Sequence, residues 1–454
     1  MSVKSSEIRG LTQSDLHHPL LPGVEVGKTL AWRAHDPVNR DDFLRDVHAL
    51  SAQLPKNDYI INLCEDRYGF LTGFAAALAN RCTTLLPQNR TAHAINEILQ
   101  DYPTAYQLRD SEVSDCHMRH TELLNLSVLH NPLIARDHLA AIVFTSGSTG
   151  RARPNKKTWG SLVTGAQMLQ QRFDFNINGK AWNIVATVPP QHMYGLETSI
   201  LNPLINGVSI YTGPTFFPAD ILIALQSMPM PRILITTPVH LNACLESGQE
   251  WPELQAIISA TAPLPKTLAT RAETFFGCPV LEIYGCTEAG SMASRRTVAG
   301  DPWLLFEGAC LKAATTGYSL YGDHLDEEIP LHDTLQLLDD RSFVLQGRHS
   351  DMINIAGKRA SLADLNIQLQ EIEGVTDGAF LVPDNTAASV TRLIAFAVSE
   401  SLDAQAICRK LQARIDPVFV PRPLYLVDKL PRNETGKLPR DALTALLERI
   451  RRNE

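Results

Sequence analysis

Short apolar runs that suit buried strands recur along this chain, with helix-favouring stretches between most of them, and that alternation restricts it to an α/β architecture with largely parallel sheet. The runs fall at residues 59–63, 83–86, 140–144, 183–188, 208–211, 233–236, 256–258 and 280–284, and helical periodicity covers 41–54 and 69–78. Past about residue 348 the pattern changes to a helix at 361–370, strands at 378–382 and 393–398, a helix at 403–415 and an extended 423–427. Such a set makes a small α+β unit of about a hundred residues. A chain of 454 residues also exceeds what one hydrophobic core organises. The expected architecture is a large N-terminal domain of layered, mostly parallel sheets with helices over 1–348 and a small α+β domain over 349–454, with the junction near 346–351.

Charge and cysteine usage exclude several function classes. The formal net charge of -8 comes from intermixed acids and bases, without the basic face that nucleic acid or an anionic membrane demands. The eight cysteines have no paired spacing suited to zinc or a dithiol site. The start, MSVKSSEIRG, lacks an apolar signal stretch, and no run approaches the roughly 18 apolar residues of a membrane span. The expectation is a cytoplasmic enzyme with no nucleic-acid partner.

The stretch AAIVFTSGSTG, residues 140–150, carries the most chemistry. A buried strand would deliver Thr145, Ser146, Gly147, Ser148, Thr149 and Gly150 into a tight loop, where glycines allow close backbone approach and hydroxyls and amides donate to phosphate oxygens. The same residue types also make an ordinary surface turn. Neither the Walker spacing nor G-x-G-x-x-G occurs, which excludes two common nucleotide folds.

TSGSTG resembles the signature loop of the adenylate-forming superfamily of acyl-CoA synthetases, peptide-synthetase adenylation domains and luciferases. VPPQHMYG (188–195), IYGCTE (283–288), LQGRHSD (345–351) and LPRNETGK (430–437) resemble four further motifs of that superfamily in the right order. Asp333 precedes Arg348 by fifteen residues, which resembles the spacing of the superfamily's ribose-binding pair. The resemblance covers about residue 41 to the end.

That resemblance implies a role for each motif. Tyr284 and Gly285 would face adenine, with Ala260 and Ala262 of SATAP (259–263) on its other side. Thr287 would donate to the α-phosphate and Glu288 would hold magnesium, a hard cation that prefers oxygen. Asp333 and Arg348 would bind the ribose. Lys437 would reach the reacting oxygens during adenylation, His192 would stand beside the acyl pocket, and the small domain would turn so that Gly357 lines the path of a pantetheine arm. Each has a plainer reading: core tyrosine, helix start, surface ion pair, inert lysine, structural histidine, turn glycine.

The run Arg151 to Lys157 lacks the usual Pro-Lys after the loop, so the cation that meets the phosphates stays open. Ser350 stands where an acid is common. Only about forty-five residues separate Glu288 from Asp333, which implies a reduced barrel-like subdomain. These economies are most similar to compact ligases of aryl-polyene or xanthomonadin-type pathways. The implied activity is ATP- and magnesium-dependent conversion of a carboxylic acid, an aryl acid such as a hydroxybenzoate, to an acyl-adenylate, with transfer to the thiol of an acyl carrier protein. The alternatives are a fatty- or aryl-acid ligase using coenzyme A and a non-catalytic nucleotide-binding protein.

Overall fold

The computed structural model describes residues 16–23, 25, 27–33, 36–119, 130–146, 152–177, 179–314, 317–348, 352–355, 358–383, 392–433 and 436–453. Gly147, Ser148, Thr149, Gly150, Ser350 and Gly357, and the side chains of Ser146 and Arg348, lie outside the described residues.

The strands that frame the site are β1 (Thr29–Arg33), β2 (Asp36–Asn39), β3 (Tyr59–Asn62), β4 (Thr83–Leu86), β5 (Tyr106–Leu108), β6 (Leu139–Ser146), β7 (Ala152–Thr158), β8 (Asn183–Ala186), β9 (Ser209–Tyr211), β10 (Arg232–Thr236), β11 (Ala256–Ser259), β12 (Val280–Cys286), β13 (Gly290–Arg296), β14 (Trp303–Leu305), β15 (Asp333–Leu337) and β16 (Ser342–Arg348). Among the described residues they form a five-stranded sheet in the order β5-β3-β4-β6-β7 and an eleven-stranded sheet in the order β15-β16-β14-β13-β12-β11-β10-β8-β9-β1-β2. From β12 to β1 the large sheet is parallel. It turns antiparallel at both flanks, beginning with the β12–β13 hairpin and with the β1–β2 pair.

The parallel strands read clearly in the sequence because both their faces are covered, leaving continuous apolar runs such as β8 and β11 buried at every position. The antiparallel additions did not. In β7 the inward positions are Asn155 and Lys157, so the alternation exists but its buried members are polar. Between β14 and β15 a three-stranded antiparallel sheet joins Cys310–Ala313, Tyr318–Tyr321 and Ile329–Pro330.

Helix α1 (Arg40–Gln53) is capped by Asn39, whose side chain accepts from the amides of Asp41 and Asp42. Helix α2 (Arg67–Ala79) is capped by Asp66 and is buried along nearly its whole length. It packs on β5 so closely that a Cβ at Gly73 would lie 2.5 Å from Leu108.

Near the C-terminus, α3 (Leu362–Gln370) and α4 (Ala404–Gln412) pack on one face of a three-stranded sheet of β17 (Asp377–Leu381), β18 (Ile394–Val398) and β19 (Leu424–Leu426). Helix α5 (Arg440–Asn453) covers the other face, with Leu443, Leu446 and Leu447 against Ala379, Leu381 and Phe396. No helix of the described residues is long and apolar enough to cross a membrane.

Candidate active site

The site collects at the C-terminal ends of the parallel strands, where an open α/β sheet leaves a crevice. Strand β6 runs through Thr145 toward the hydroxyl-glycine loop, and β7 returns antiparallel to it, pairing Thr145 with Arg153 and Ser146 with Ala152. Two side chains fix that hairpin. Glu97 accepts from the Ala152 amide at 2.7 Å, and the Asn155 amide donates to the Val143 carbonyl at 3.0 Å.

The IYGCTE motif ends β12. Tyr284 donates to the Asp333 carboxylate at 2.6 Å, and its ring lies 5.5 Å from Trp303 and 5.8 Å from Phe343 between centroids. The spacing of Asp333 and Arg348 becomes a β-hairpin register, because the two are directly opposite each other on β15 and β16. Gly285 is required by packing, since a Cβ there would lie 2.3 Å from the Gly290 carbonyl oxygen. Thr287 and Glu288 then occupy the turn between β12 and β13, both partly exposed.

The facing strand β11 leads into SATAP. Ala260 is buried and Ala262 partly so. Thr261, a β-branched residue, holds φ at 77°, a strained conformation of the kind that clusters at functional sites. Buried Glu282 stabilises the segment by accepting from the Leu264 amide at 2.9 Å while Arg295 donates to its other oxygen at 2.8 Å. The Ser259 hydroxyl is buried without a hydrogen-bond partner among the described residues.

His192 opens the short helix Met193–Leu196, and Gly195 lets the loop close, because a Cβ there would meet the Pro189 carbonyl oxygen at 2.0 Å. Burial, reinforced by the charges of Lys437 and Arg90, lowers His192 to about 4, so its ring is neutral at pH 7. Behind it, Arg67 donates to the carbonyls of Ala186 and Val188, both at 2.9 Å, and to Ser199. The same region thus holds the end of β8 and the helix after His192 in one register. Tyr194 turns its hydroxyl away to the Ile258 carbonyl at 2.9 Å, leaving its ring in the core.

Lys437 reaches this crevice from the C-terminal part of the chain. Gly436, at φ 76°, packs against the start of helix Pro238–Glu246, where a Cβ would lie 3.2 Å from Val239. The loop is braced: Asn433 accepts from the Lys437 amide at 2.9 Å, and Arg432 donates to the Gly436 carbonyl at 2.8 Å while forking onto Asp377. The charge of Lys437 is thereby felt at His192.

The structure brings together Tyr284 with Asp333 and Asp333 with the Arg348 backbone, and it seats Gly436, next to Lys437, against Thr237 and Val239. It also shows residues that sequence reasoning passed over, Glu197, Arg67, Arg90 and Glu282, and it gives contacts to Arg432 of the LPRNETGK motif and to Lys157 of the run left open above. Among the described residues of the Arg151–Lys157 run, Lys157 is the cation that turns inward, its ammonium donating to the Glu288 carbonyl at 2.5 Å. Among the described residues no three His, Cys, Asp or Glu side chains converge on a metal position.

The comparisons with known proteins define an AMP-forming ligase. The chain belongs to the AMP-binding enzyme family, whose model matches residues 53–317. It is 30% identical over 317 residues to a 4-coumarate–CoA ligase of Halorhodospira halophila, covering 67% of this chain and 76% of that protein. The fold is similar to that of ATP-bound MatB from Rhodopseudomonas palustris, with a TM-score of 0.78 and 18% identity over 94% of this chain and 97% of that one. It is similar as well to the o-succinylbenzoate coenzyme A synthetase of Bacillus subtilis in complex with ATP and magnesium, with a TM-score of 0.75 and 16% identity over 92% and 96%.

Proposed function

We propose that this enzyme activates an aryl carboxylic acid with ATP, releasing pyrophosphate, and passes the acyl group from the adenylate to a phosphopantetheine thiol. The observation that carries the reading is the seating of Gly436 against Thr237 and Val239, which brings the neighbouring Lys437 to the edge of the crevice, because joining a carboxylate to the α-phosphate brings anions together and needs a cation at the point of contact. Lys437 donates to those oxygens, while neutral His192 meets the incoming acid without placing a second fixed charge there.

Asp333 accepts from the ribose hydroxyls and holds Tyr284 in line, and the Tyr284 ring and SATAP bracket adenine. The unpartnered Ser259 hydroxyl and the open turn at Thr287 and Glu288 fit a nucleotide with its metal. Glu288 would hold magnesium, which supplies charge neutralisation between the phosphates; with so few protein carboxylates nearby, the ion would take its other ligands from phosphate and water. After adenylation, the segment beyond residue 348 turns about its junction and Lys437 withdraws, giving the thiol access, with Gly357 the residue expected along its path.

The name of the matched ligase, 4-coumarate–CoA ligase, supports an aryl acid and supports coenzyme A as the acceptor. An acyl carrier protein presents the same pantetheine arm and is the second reading. Pyrophosphate exchange across benzoates, cinnamates and fatty acids, followed by thioester detection with coenzyme A and with holo-carrier protein, tests both. Exchange confined to aryl acids is expected, and absence of exchange with every acid overturns the reading.

A further inference from the structure

Lys157 and Glu197 are both charged, and both are buried, with 6% and 4% of their surfaces exposed. Neither belongs to the recognised motifs. Lys157 sits on β7, the strand that leaves the hydroxyl-glycine loop, and its ammonium donates across 131 residues of sequence to the Glu288 carbonyl at 2.5 Å. Glu197 lies in a π-helical turn, Glu197–Leu201, set between the helical segments that follow His192. Such turns insert one residue into a helix and often re-aim a side chain at functional sites.

Here the re-aimed group is a carboxylate. Both its oxygens accept from the Ser291 amide at 3.1 Å, and one also accepts from the Ser291 hydroxyl at 2.6 Å. Gly290 adopts φ 78° beneath it, and a Cβ at that position would lie 2.4 Å from the Glu197 carboxylate. The turn 286–291 is therefore gripped at Glu288 by Lys157 and at its far end, Ser291, by Glu197. Each of the two also stands in the other's field, so the buried charges offset one another.

Resting on the proposed adenylation, we propose that Lys157 and Glu197 are positioning residues that set the Thr287–Glu288 turn against the phosphate-loop hairpin. Lys157 is the mechanical link: it is part of the hairpin by covalent connection and part of the turn by its hydrogen bond. Glu197 fixes the far end of the turn and links it to the loop that carries His192. One buried pair thus ties three otherwise separate motifs into a single register. Preorganisation of this kind matters because displacement of catalytic groups by about 1 Å costs of order 100-fold in rate.

The test uses Lys157→Met, which preserves length and removes the donor, and Glu197→Gln, which preserves shape and removes the charge. Each is read in two ways. Amide hydrogen exchange of the peptide spanning 284–292 reports the turn without any substrate, and at least a tenfold faster exchange confined to that peptide is expected in Lys157→Met. Pyrophosphate exchange is expected to need a several-fold higher magnesium concentration and to fall about 10- to 100-fold in maximal rate, with the carboxylate KM unchanged. Thioester formation from pre-made adenylate should persist.

A folded Lys157→Met protein with wild-type protection of 284–292 overturns the inference, as does equal loss of both half-reactions. Wild-type protein silent in pyrophosphate exchange overturns the proposed function instead, and the hydrogen-exchange comparison still decides the link. If both variants fail to fold, Lys157→Arg, which keeps the donor, decides by the same two readouts: protection and magnesium requirement that match wild type support the link, and their loss overturns it.

Discussion

The phenol of Tyr284 donates to the carboxylate of Asp333 at 2.6 Å across 49 residues of sequence, joining the end of a parallel strand to the start of an antiparallel hairpin. The bond fixes the ring in the plane where it meets Trp303 and Phe343. Two motifs that sequence alone would assign separately to adenine and ribose are one unit.

The first prediction follows from that bond. A hydrogen bond to a charged acceptor contributes about 1.5–3 kcal/mol, so Tyr284→Phe should weaken ATP binding by roughly 10- to 100-fold through loss of ring orientation. The KM for the acid should be unchanged. Titration calorimetry with ATP checks it, and Asp333→Asn should cost at least as much because it removes the charged partner of the ring and, on the proposed reading, of the ribose.

Gly195 sets the second prediction. With a Cβ only 2.0 Å from the Pro189 carbonyl oxygen, Gly195→Ala cannot keep the loop closed. His192 should shift with it, raising the KM for the acid by an order of magnitude or more while leaving that for ATP within about twofold. Initial-rate kinetics in pyrophosphate exchange separate the two constants.

Buried histidines set a third, concerning acid stability. His324 is 5% exposed with neither ring nitrogen hydrogen-bonded among the described residues, and burial, aided by the charge of Lys157 and opposed by Asp323, holds it at about 4. The folded protein therefore keeps His324 neutral where the unfolded chain takes up a proton below pH 6.5. Stability should fall as pH drops from 6.5 toward 4, by about 1.4 kcal/mol per pH unit for each such group, and level off below that range. His192 adds the same sign. His324→Leu should flatten the slope of urea-unfolding stability between pH 6.5 and 4.5 without changing it above pH 7.

Arg432 sets a fourth. It braces the Lys437 loop while paired with Asp377 in a two-point contact, a geometry lysine cannot reproduce. Arg432→Lys should leave the fold intact, as judged by thermal unfolding, yet slow adenylation several-fold.

What the sequence made legible was local. The parallel strands appeared as unbroken apolar runs, and β4 and the ends of β8 to β12 fell within about two residues of their positions. Tyr284, Arg348 and Lys437 stood out as candidates because each sits in a distinctive string of neighbours, and Asp333 stood out by its fifteen-residue spacing from Arg348. Hidden were the groups whose meaning lies in contacts made far along the chain. Lys157, in RARPNKKT, looks like one more solvated cation until β7 turns it inward, and Glu197 looks like a helix-surface acid until the π turn rotates it onto Ser291. Residue type alone does not separate a buried, compensated charge from an exposed one. The flanking antiparallel strands were obscured for a related reason, since apart from Met292 the buried positions of β13 and β7 carry small or polar residues.

The central claim is that Lys437 serves the first half-reaction from a loop braced against the start of helix Pro238–Glu246. Single-turnover measurement of both half-reactions in Lys437→Ala tests it most directly. Adenylate formation should slow by about 100- to 1,000-fold, while thioester formation from pre-made adenylate stays within about threefold of wild type. Equal loss in both steps, or adenylation at the wild-type rate, would contradict the account.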